Sequence, residues 1–127
     1  MSGMHFAHWT EVPARVWPCE FFTPQEIACK GTGSILIHAE ALMALDQLRK
    51  NCGTSLHISS GYRSPYHNAS VGGAPLSSHL AAHAYDVRLM GMDKAKLKAE
   101  AESVGFKGFG MRYRTFMHID MGRRREW

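Results

Sequence analysis

The chain has 127 residues, of which 45% are hydrophobic and 20% charged, and its formal net charge is +4. This length suits one domain that buries roughly 65% of its unfolded surface in a single core. No apolar run approaches the ~18 residues of a membrane span, so we expect none. We predict a single domain over residues 1–127, with residues 1–21 as an N-terminal extension that packs on it.

The basic charge suits an acidic partner, which could be nucleic acid, an anionic envelope or an acidic peptide. Aromatic residues are not interleaved with the basic ones as on a base-stacking surface, which argues against nucleic acid. The clearest basic run, Arg123 to Arg125, is expected to lie in a solvated tail that Trp127 closes.

The first residues lack the basic start and continuous apolar stretch of a secretory signal peptide. The three cysteines cannot all pair and show no CxxC spacing, so we expect them to be reduced and structural.

Two helices are predicted in the first half of the chain. In TPQEIAC, Thr23 can cap, Pro24 suits the first helical position and Glu26 completes a capping box. A longer helix is predicted after Ser34 and before Gly53, because apolar residues recur at helical spacing; they are Ile35, Ala39, Leu42, Met43, Leu45 and Leu48.

The second half alternates as strands do. A strand over 55–59 should run into a GYRSP loop, and a second over 84–90 should carry Asp86 and Arg88 on its polar face. Asp93 should cap a helix that ends at Gly105, and FKGFGMR with TFMHIDM should form a final hairpin. We therefore predict an α+β fold with a small, mostly antiparallel sheet flanked by helices. The residues predicted to face inward from the last helix are Ala95, Leu97, Ala101 and Val104.

Alternation in the last strand puts Phe116, His118 and Asp120 on one face. His118 and Asp86 could then point at one place, with His79 arriving from the preceding loop. Two imidazoles and one carboxylate suit zinc and leave a fourth position for water. Chance clustering among eight histidines is the alternative. A zincin pair of His79 and His83 is less favoured, because alanine stands where the glutamate should be.

Four segments resemble the zinc D-alanyl-D-alanine carboxypeptidases. SSHLAAHAYD is similar to their S-x-H-x-x-G-x-A-x-D signature, MHID to their second metal segment, and SGYRSPYHNASVGGAP to the loop before the signature. FTPQEIACKGTG is similar to the opening of small phage- and prophage-associated members. The resemblance implies the fold shared with lysostaphin-type enzymes and the hedgehog signalling domain.

The resemblance also implies roles for particular residues. His79, Asp86 and His118 would be the zinc ligands. Arg63 would hold the substrate carboxylate or polarise its carbonyl, which suits its permanently charged fork. Ser77 would be a hydrogen-bonding neighbour of the bound peptide. The alternatives are a surface salt bridge for Arg63 and a loop cap for Ser77.

Two positions depart from the family pattern. Ala82 replaces the signature glycine, which is tolerable if the backbone there has negative φ. Thr115 stands where the carboxypeptidases carry an acidic general base. Asp120 is the nearest replacement, either as base or as an acceptor that orients His118. His67 and His83 are further candidates for proton transfer, and zinc alone can lower the pKa of water to around 7.

We therefore expect a monomeric zinc peptidase that cleaves peptidoglycan peptides, as a DD-carboxypeptidase or an endopeptidase. Without a signal peptide it would be made in the bacterial cytoplasm and act in the periplasm or on the cell wall after release, or be virion-associated. The alternatives are a binding module of the same fold that lost turnover, and a small basic nucleic-acid-binding protein.

Overall fold

A five-stranded sheet organises the computed structural model, which describes residues 4–74 and 77–127. Its strands are β3 Ile58–Ser60, β4 Ala84–Arg88, β5 Gly108–Gly110, β6 Phe116–Asp120 and β7 Arg125–Glu126. They follow the order β3-β4-β6-β5-β7, and within this sheet the β5–β7 pair alone is parallel. The predicted α+β class with a small, mostly antiparallel sheet is confirmed.

Four α-helices and a second, two-stranded sheet surround this sheet in the described ranges. The helices are α1 Pro24–Ile27, α2 Ala39–Cys52, α3 Pro65–Ser70 and α4 Lys94–Ser103, and the small antiparallel sheet joins β1 Met4–Phe6 to β2 Ile35–Ile37. The predicted capping box opens α1, where the Thr23 amide donates to Glu26 Oε1 over 2.9 Å. Gly53 ends α2 with a φ of 68°, a conformation that glycine adopts without steric cost.

The start of α2 differs from the prediction. Residues 35–37 form β2 instead of the first helical turn. Their sequence, ILI, contains two β-branched residues, and β1 supplies hydrogen-bonding partners for their backbone. The helix begins after His38, whose Nδ1 accepts from the Ala41 amide over 3.2 Å. Met43, predicted on the core face, is 59% exposed.

The core lies between the apolar face of the large sheet and helices α2 and α4. Tyr85, Val87, Met117 and Ile119 supply the sheet face and are completely buried. The N-terminal segment packs against the edge of this core through Trp9 and other partly buried residues. Ala95, predicted to face inward from the last helix, is exposed. The strands β3 and β4 are shorter than predicted.

Two further segments were predicted incorrectly. Residues 65–70 form the short helix α3 within the expected loop, where Ser64 Oγ accepts from the His67 amide. The expected solvated tail instead contributes β7, because the Trp127 amide donates to the Phe109 carbonyl and the Trp127 carbonyl accepts from the Met111 amide. In the described residues, no helix has the length and apolarity needed to cross a membrane. All three cysteines are free, as expected.

Candidate metal centre

Two neighbouring strands and one turn bring three metal-binding side chains together. Asp86 on β4 is paired with His118 on β6 in the antiparallel register, so both side chains leave the same face of the sheet. His79 arrives from the 3₁₀ turn Ser78–Ala81, which immediately precedes β4. All three residues are buried, and one donor atom from each lies within 4.8 Å of the other two.

The separations of the donor atoms suit a tetrahedral ion. Asp86 Oδ1 lies 3.1 Å from His118 Nδ1 and 3.3 Å from His79 Nε2. Ligands bonded to zinc at about 2.0–2.1 Å in a tetrahedron are about 3.3 Å apart. The three side chains could therefore hold zinc with small adjustments.

The outer nitrogen of each imidazole faces a hydrogen-bond acceptor. His79 Nδ1 lies 2.6 Å from the Gly61 carbonyl, and His118 Nε2 lies 2.6 Å from Asp120 Oδ2. A neutral imidazole carries a single proton, and these acceptors hold it on the outer nitrogen. The inner nitrogens then direct lone pairs at the Asp86 carboxylate, an arrangement that is favourable when a cation lies among them.

The protonation equilibria point the same way. Burial alone would raise the pKa of Asp86, but hydrogen bonds and charge from His118 and His79 outweigh it and lower this pKa to about 2. Burial alone would lower the pKa of His118, but its bonds to Asp120 and Asp86 raise it above the ordinary value. These shifts describe the metal-free cluster, in which the imidazoles share protons with the Asp86 carboxylate; a cation at the centre would take the place of those protons.

Asp120 is completely buried and has both oxygens fully engaged. Oδ1 accepts from the Gly122 amide and from Arg125 Nη1, both over 2.9 Å. Oδ2 accepts from His118 Nε2, from Arg125 Nη2 over 2.7 Å and from Ser78 Oγ over 3.2 Å. Burial opposes ionisation, but these bonds outweigh it and hold the pKa of Asp120 well below its usual range. This environment favours the orienting role over that of a general base.

A cavity of about 480 Å³ opens over the three side chains. Arg63 lines it and is steadied by a 3.3 Å bond from Nη1 to Asn68 Oδ1, while its Nη2 lies 3.9 Å from Asp86 Oδ2. Ser77 also lines the cavity, and its Oγ accepts from the His79 amide at the start of the turn. Ser77 therefore caps the turn, which was one of the two predicted roles. Its place in the cavity lining is compatible with the other, a hydrogen bond to the bound peptide.

An aromatic wall, formed by Tyr113, Phe116 and Trp127, closes one side of the cavity. Tyr113 stacks on Phe116 with ring centroids 4.4 Å apart, and Trp127 Nε1 donates to Tyr113 Oη over 3.0 Å. The Trp127 ring centroid lies 5.0 Å from that of His118. Trp127 and Arg125 were missed as site residues. Their two-residue spacing, which places strand side chains on one face, was the available signal.

Several other candidate residues stand apart from the cavity. His67, His83 and Thr115 do not line it within the part of the chain that the structure describes. His83 instead faces His38, with ring centroids 5.9 Å apart, and burial lowers its pKa. His79 and His83 therefore do not form a zincin pair. Thr115, at the sequence position of the family's acidic base, is exposed.

The turn between His79 and Asp86 contains the residue that replaces the signature glycine. Ala82 has a φ of 62°, so the negative φ that would have made the replacement tolerable is not present. An L-residue in this left-handed region costs roughly 1–2 kcal/mol. Ala82 is 3% exposed, and its buried methyl group offsets part of that cost.

Comparison with known proteins agrees with this geometry. None of the curated proteins with which the sequence was compared matches it significantly. The profile of the family described as Peptidase M15 matches residues 20–120, a range that contains all three members of the metal-binding cluster. The resemblance to the zinc D-alanyl-D-alanine carboxypeptidases is thereby confirmed. The chain belongs to the M15 family of peptidases.

Proposed function

We propose that this chain is a zinc-dependent peptidase that hydrolyses an amide bond in peptidoglycan peptides, as a DD-carboxypeptidase or an endopeptidase. The observation that carries the proposal is the cluster of His79, Asp86 and His118 at the base of a cavity that Arg63 also lines. Membership of the M15 family supports a metallopeptidase, and the Arg63 side chain in the cavity lining would suit the carboxylate of a peptide.

His79, Asp86 and His118 are proposed to hold the zinc ion. A zinc ion held there would polarise the carbonyl group of the substrate. It would also lower the pKa of bound water, so that hydroxide is available as the nucleophile near neutral pH. The protein's contribution is to keep both imidazoles in one tautomer, through the Gly61 carbonyl and the Asp120 carboxylate. This arrangement leaves one nitrogen of each ring available as a ligand.

Arg63 is proposed to bind the anionic end of the substrate. Its side chain is 21% exposed and lines the cavity, so a carboxylate can approach it from solvent. Asn68 fixes the guanidinium on one side, and Asn68 is itself held by a 2.8 Å bond from Nδ2 to the Ala74 carbonyl. A preorganised fork of this kind loses little side-chain entropy when it binds a carboxylate.

Asp120 is proposed to orient His118 rather than to accept a proton from water. Asp86 is the one carboxylate among the described residues that line the cavity, and it is already assigned to the metal. Hydrolysis by this chain would therefore proceed without a separate carboxylate base.

The absence of a second carboxylate in this described lining favours one alternative function. A module of the same fold could bind cell-wall peptides and the metal without turnover. The experiment that separates the two incubates purified protein and zinc with peptidoglycan and follows released D-Ala or cut cross-links by mass spectrometry. An active peptidase yields products that the His118→Ala variant does not. If the substrate stays intact even at high protein concentration, the chain is a binding module and not a peptidase.

We also propose the setting in which the protein acts. The net charge of +4 suits an anionic cell wall, and the opening segment resembles phage- and prophage-associated members of the family. We propose a role in lysis after release from the cytoplasm, or on a virion, which these features support. The test is to add purified protein to bacteria with a permeabilised envelope and to follow the turbidity of the suspension. A fall in turbidity would support this role, and unchanged turbidity would count against it.

A further inference from the structure

We propose that Arg125 is a positioning residue of the metal centre: it holds Asp120 and, through Asp120, fixes the ring of His118 with Nδ1 toward the cluster. The inference rests on the proposed function. It assigns a role to the residues that follow the MHID segment. Arg125 lines the cavity wall without belonging to the cluster itself.

The first step of the argument is the geometry of the ion pair. Arg125 meets Asp120 with both arms of its guanidinium, Nη1 to Oδ1 over 2.9 Å and Nη2 to Oδ2 over 2.7 Å. This parallel arrangement fixes the plane of the carboxylate as well as its position. Oδ2 is also the atom that faces His118 Nε2, so the arginine sets the direction from which the imidazole is held.

The second step is burial. Asp120 has no solvent exposure, and a buried carboxylate is strongly disfavoured unless another charge and hydrogen bonds compensate it. Among the described residues, two basic side chains pair with Asp120: the imidazole of His118 and the guanidinium of Arg125. Arg125 is the one of the two that is charged at every pH of interest. Without Arg125, the carboxylate would have to take a proton, recruit water or move, and each of these changes alters the acceptor presented to His118.

The third step is that the surrounding structure holds the guanidinium in place. The Arg125 amide donates to the Lys107 carbonyl over 3.2 Å, and β7 runs beside β5. The guanidinium carbon lies 4.8 Å from the centroid of the Trp127 ring. Gly108 provides the space, because a Cβ at that position would collide with both Arg125 Nη1 and Asp120 Oδ1.

The test is the zinc affinity of Arg125→Met, measured by competition with a fluorescent chelator. We expect a loss of about 10- to 100-fold, the usual effect of removing a residue that supports a metal ligand. Two neighbours serve as matched controls. Arg124→Met removes an exposed arginine that pairs with Glu102, and Glu126→Gln removes the β7 contact with Lys98. Both should bind zinc as the wild type does.

A double-mutant cycle shows whether Arg125 acts through Asp120. In an Asp120→Asn background, Arg125→Met should cause little further loss of zinc affinity, because the carboxylate that it holds is gone. Nitrogen NMR of the histidine rings in zinc-loaded protein adds a signature that general destabilisation does not change. Zinc on Nδ1 leaves the His118 proton on Nε2 in every variant, so the readout is the hydrogen bond of that proton to Asp120. We expect a downfield Nε2 proton resonance that exchanges slowly with water in the wild type, and an upfield shift with faster exchange in Arg125→Met.

Arg125→Lys decides the matter if Arg125→Met does not fold. A single ammonium cannot bond both oxygens in parallel, so we expect a loss of about 3- to 10-fold in zinc affinity. Wild-type affinity and an unchanged Nε2 proton resonance in the variants, with a zinc-binding parent, would overturn the role of Arg125 and leave the proposed function standing. A parent that binds no zinc would overturn the proposed function as well.

Discussion

Asp86 lies directly opposite His118 across the β4–β6 pair, with Asp86 Oδ1 3.1 Å from His118 Nδ1. The sheet register therefore sets the distance between these two proposed ligands, and a one-residue slip would move one of them to the core face. His79 is placed independently by the 3₁₀ turn and by the Gly61 carbonyl. The centre thus combines a rigid pair with a third side chain whose anchor can be altered separately.

The first prediction concerns stability of the metal-free protein at low pH. The pKa of Asp86 is lowered to about 2, so its contribution is present above the ordinary value near 3.8 and is lost as the pH falls through 2. At most about 2 kcal/mol of the free energy of unfolding should disappear in this window. Urea unfolding between pH 2 and 5 should show this slope, and Asp86→Asn should reduce it.

The raised pKa of His118 predicts the opposite trend at higher pH. Its contribution to metal-free stability is present below about pH 6.5 and is lost as the pH rises through its folded-state pKa. Zinc requires the unprotonated nitrogen, so stabilisation by zinc should grow over the same range. Thermal unfolding with and without zinc from pH 5 to 8 measures both; a zinc effect independent of pH would contradict the ligand role of His118.

The third prediction concerns recognition of the substrate by Arg63. Arg63→Met should raise KM for peptides with a free terminal carboxylate by about 10- to 100-fold, the value of a charge-assisted hydrogen bond. Peptides with an amidated end should be affected much less. Arg15→Met, which removes an exposed arginine elsewhere, is the control. Equal losses on acid and amide peptides would indicate that Arg63 polarises the carbonyl instead.

The fourth prediction concerns the anchor of His79. A Cβ at Gly61 would lie 2.6 Å from the Ile27 carbonyl oxygen, a backbone atom that cannot rotate away. Gly61→Ala should therefore displace the carbonyl that faces His79, destabilise the fold by about 1–3 kcal/mol and weaken zinc binding. Gly31→Ala is the matched control, since its Cβ would meet the side chain of His67, which can move. Equal behaviour of both variants would disprove the anchoring role.

The local sequence pattern was sufficient to place a side chain on the correct face of the sheet where that placement depends on a single strand. Alternation in 84–90 and 116–121 placed Asp86, His118 and Asp120 on the polar face, and the structure agrees. The contribution of β7 could not be read in the same way. It depends on the chain turning back after Gly122 so that Arg125 reaches Asp120, and a basic run next to a turn looks the same when it is solvated.

Two further differences have the same origin in tertiary contacts. Residues 35–37 fit both a helical and a strand pattern, and pairing with β1 favours the strand. Ala82 gave no local sign of its positive φ, because the left-handed turn is imposed by the need to pass from the 3₁₀ turn into β4. The family pattern, with glycine at this position, was the better indicator of backbone conformation.

The most direct test of the metal centre is the zinc content of purified protein by mass spectrometry or atomic absorption. We predict about one zinc per chain for the wild type, in keeping with a three-ligand site. The predicted content for His79→Ala and for His118→Ala is close to zero. His57→Ala, which changes an exposed histidine, should keep the full amount. Full stoichiometry in both His79→Ala and His118→Ala would contradict the proposed centre.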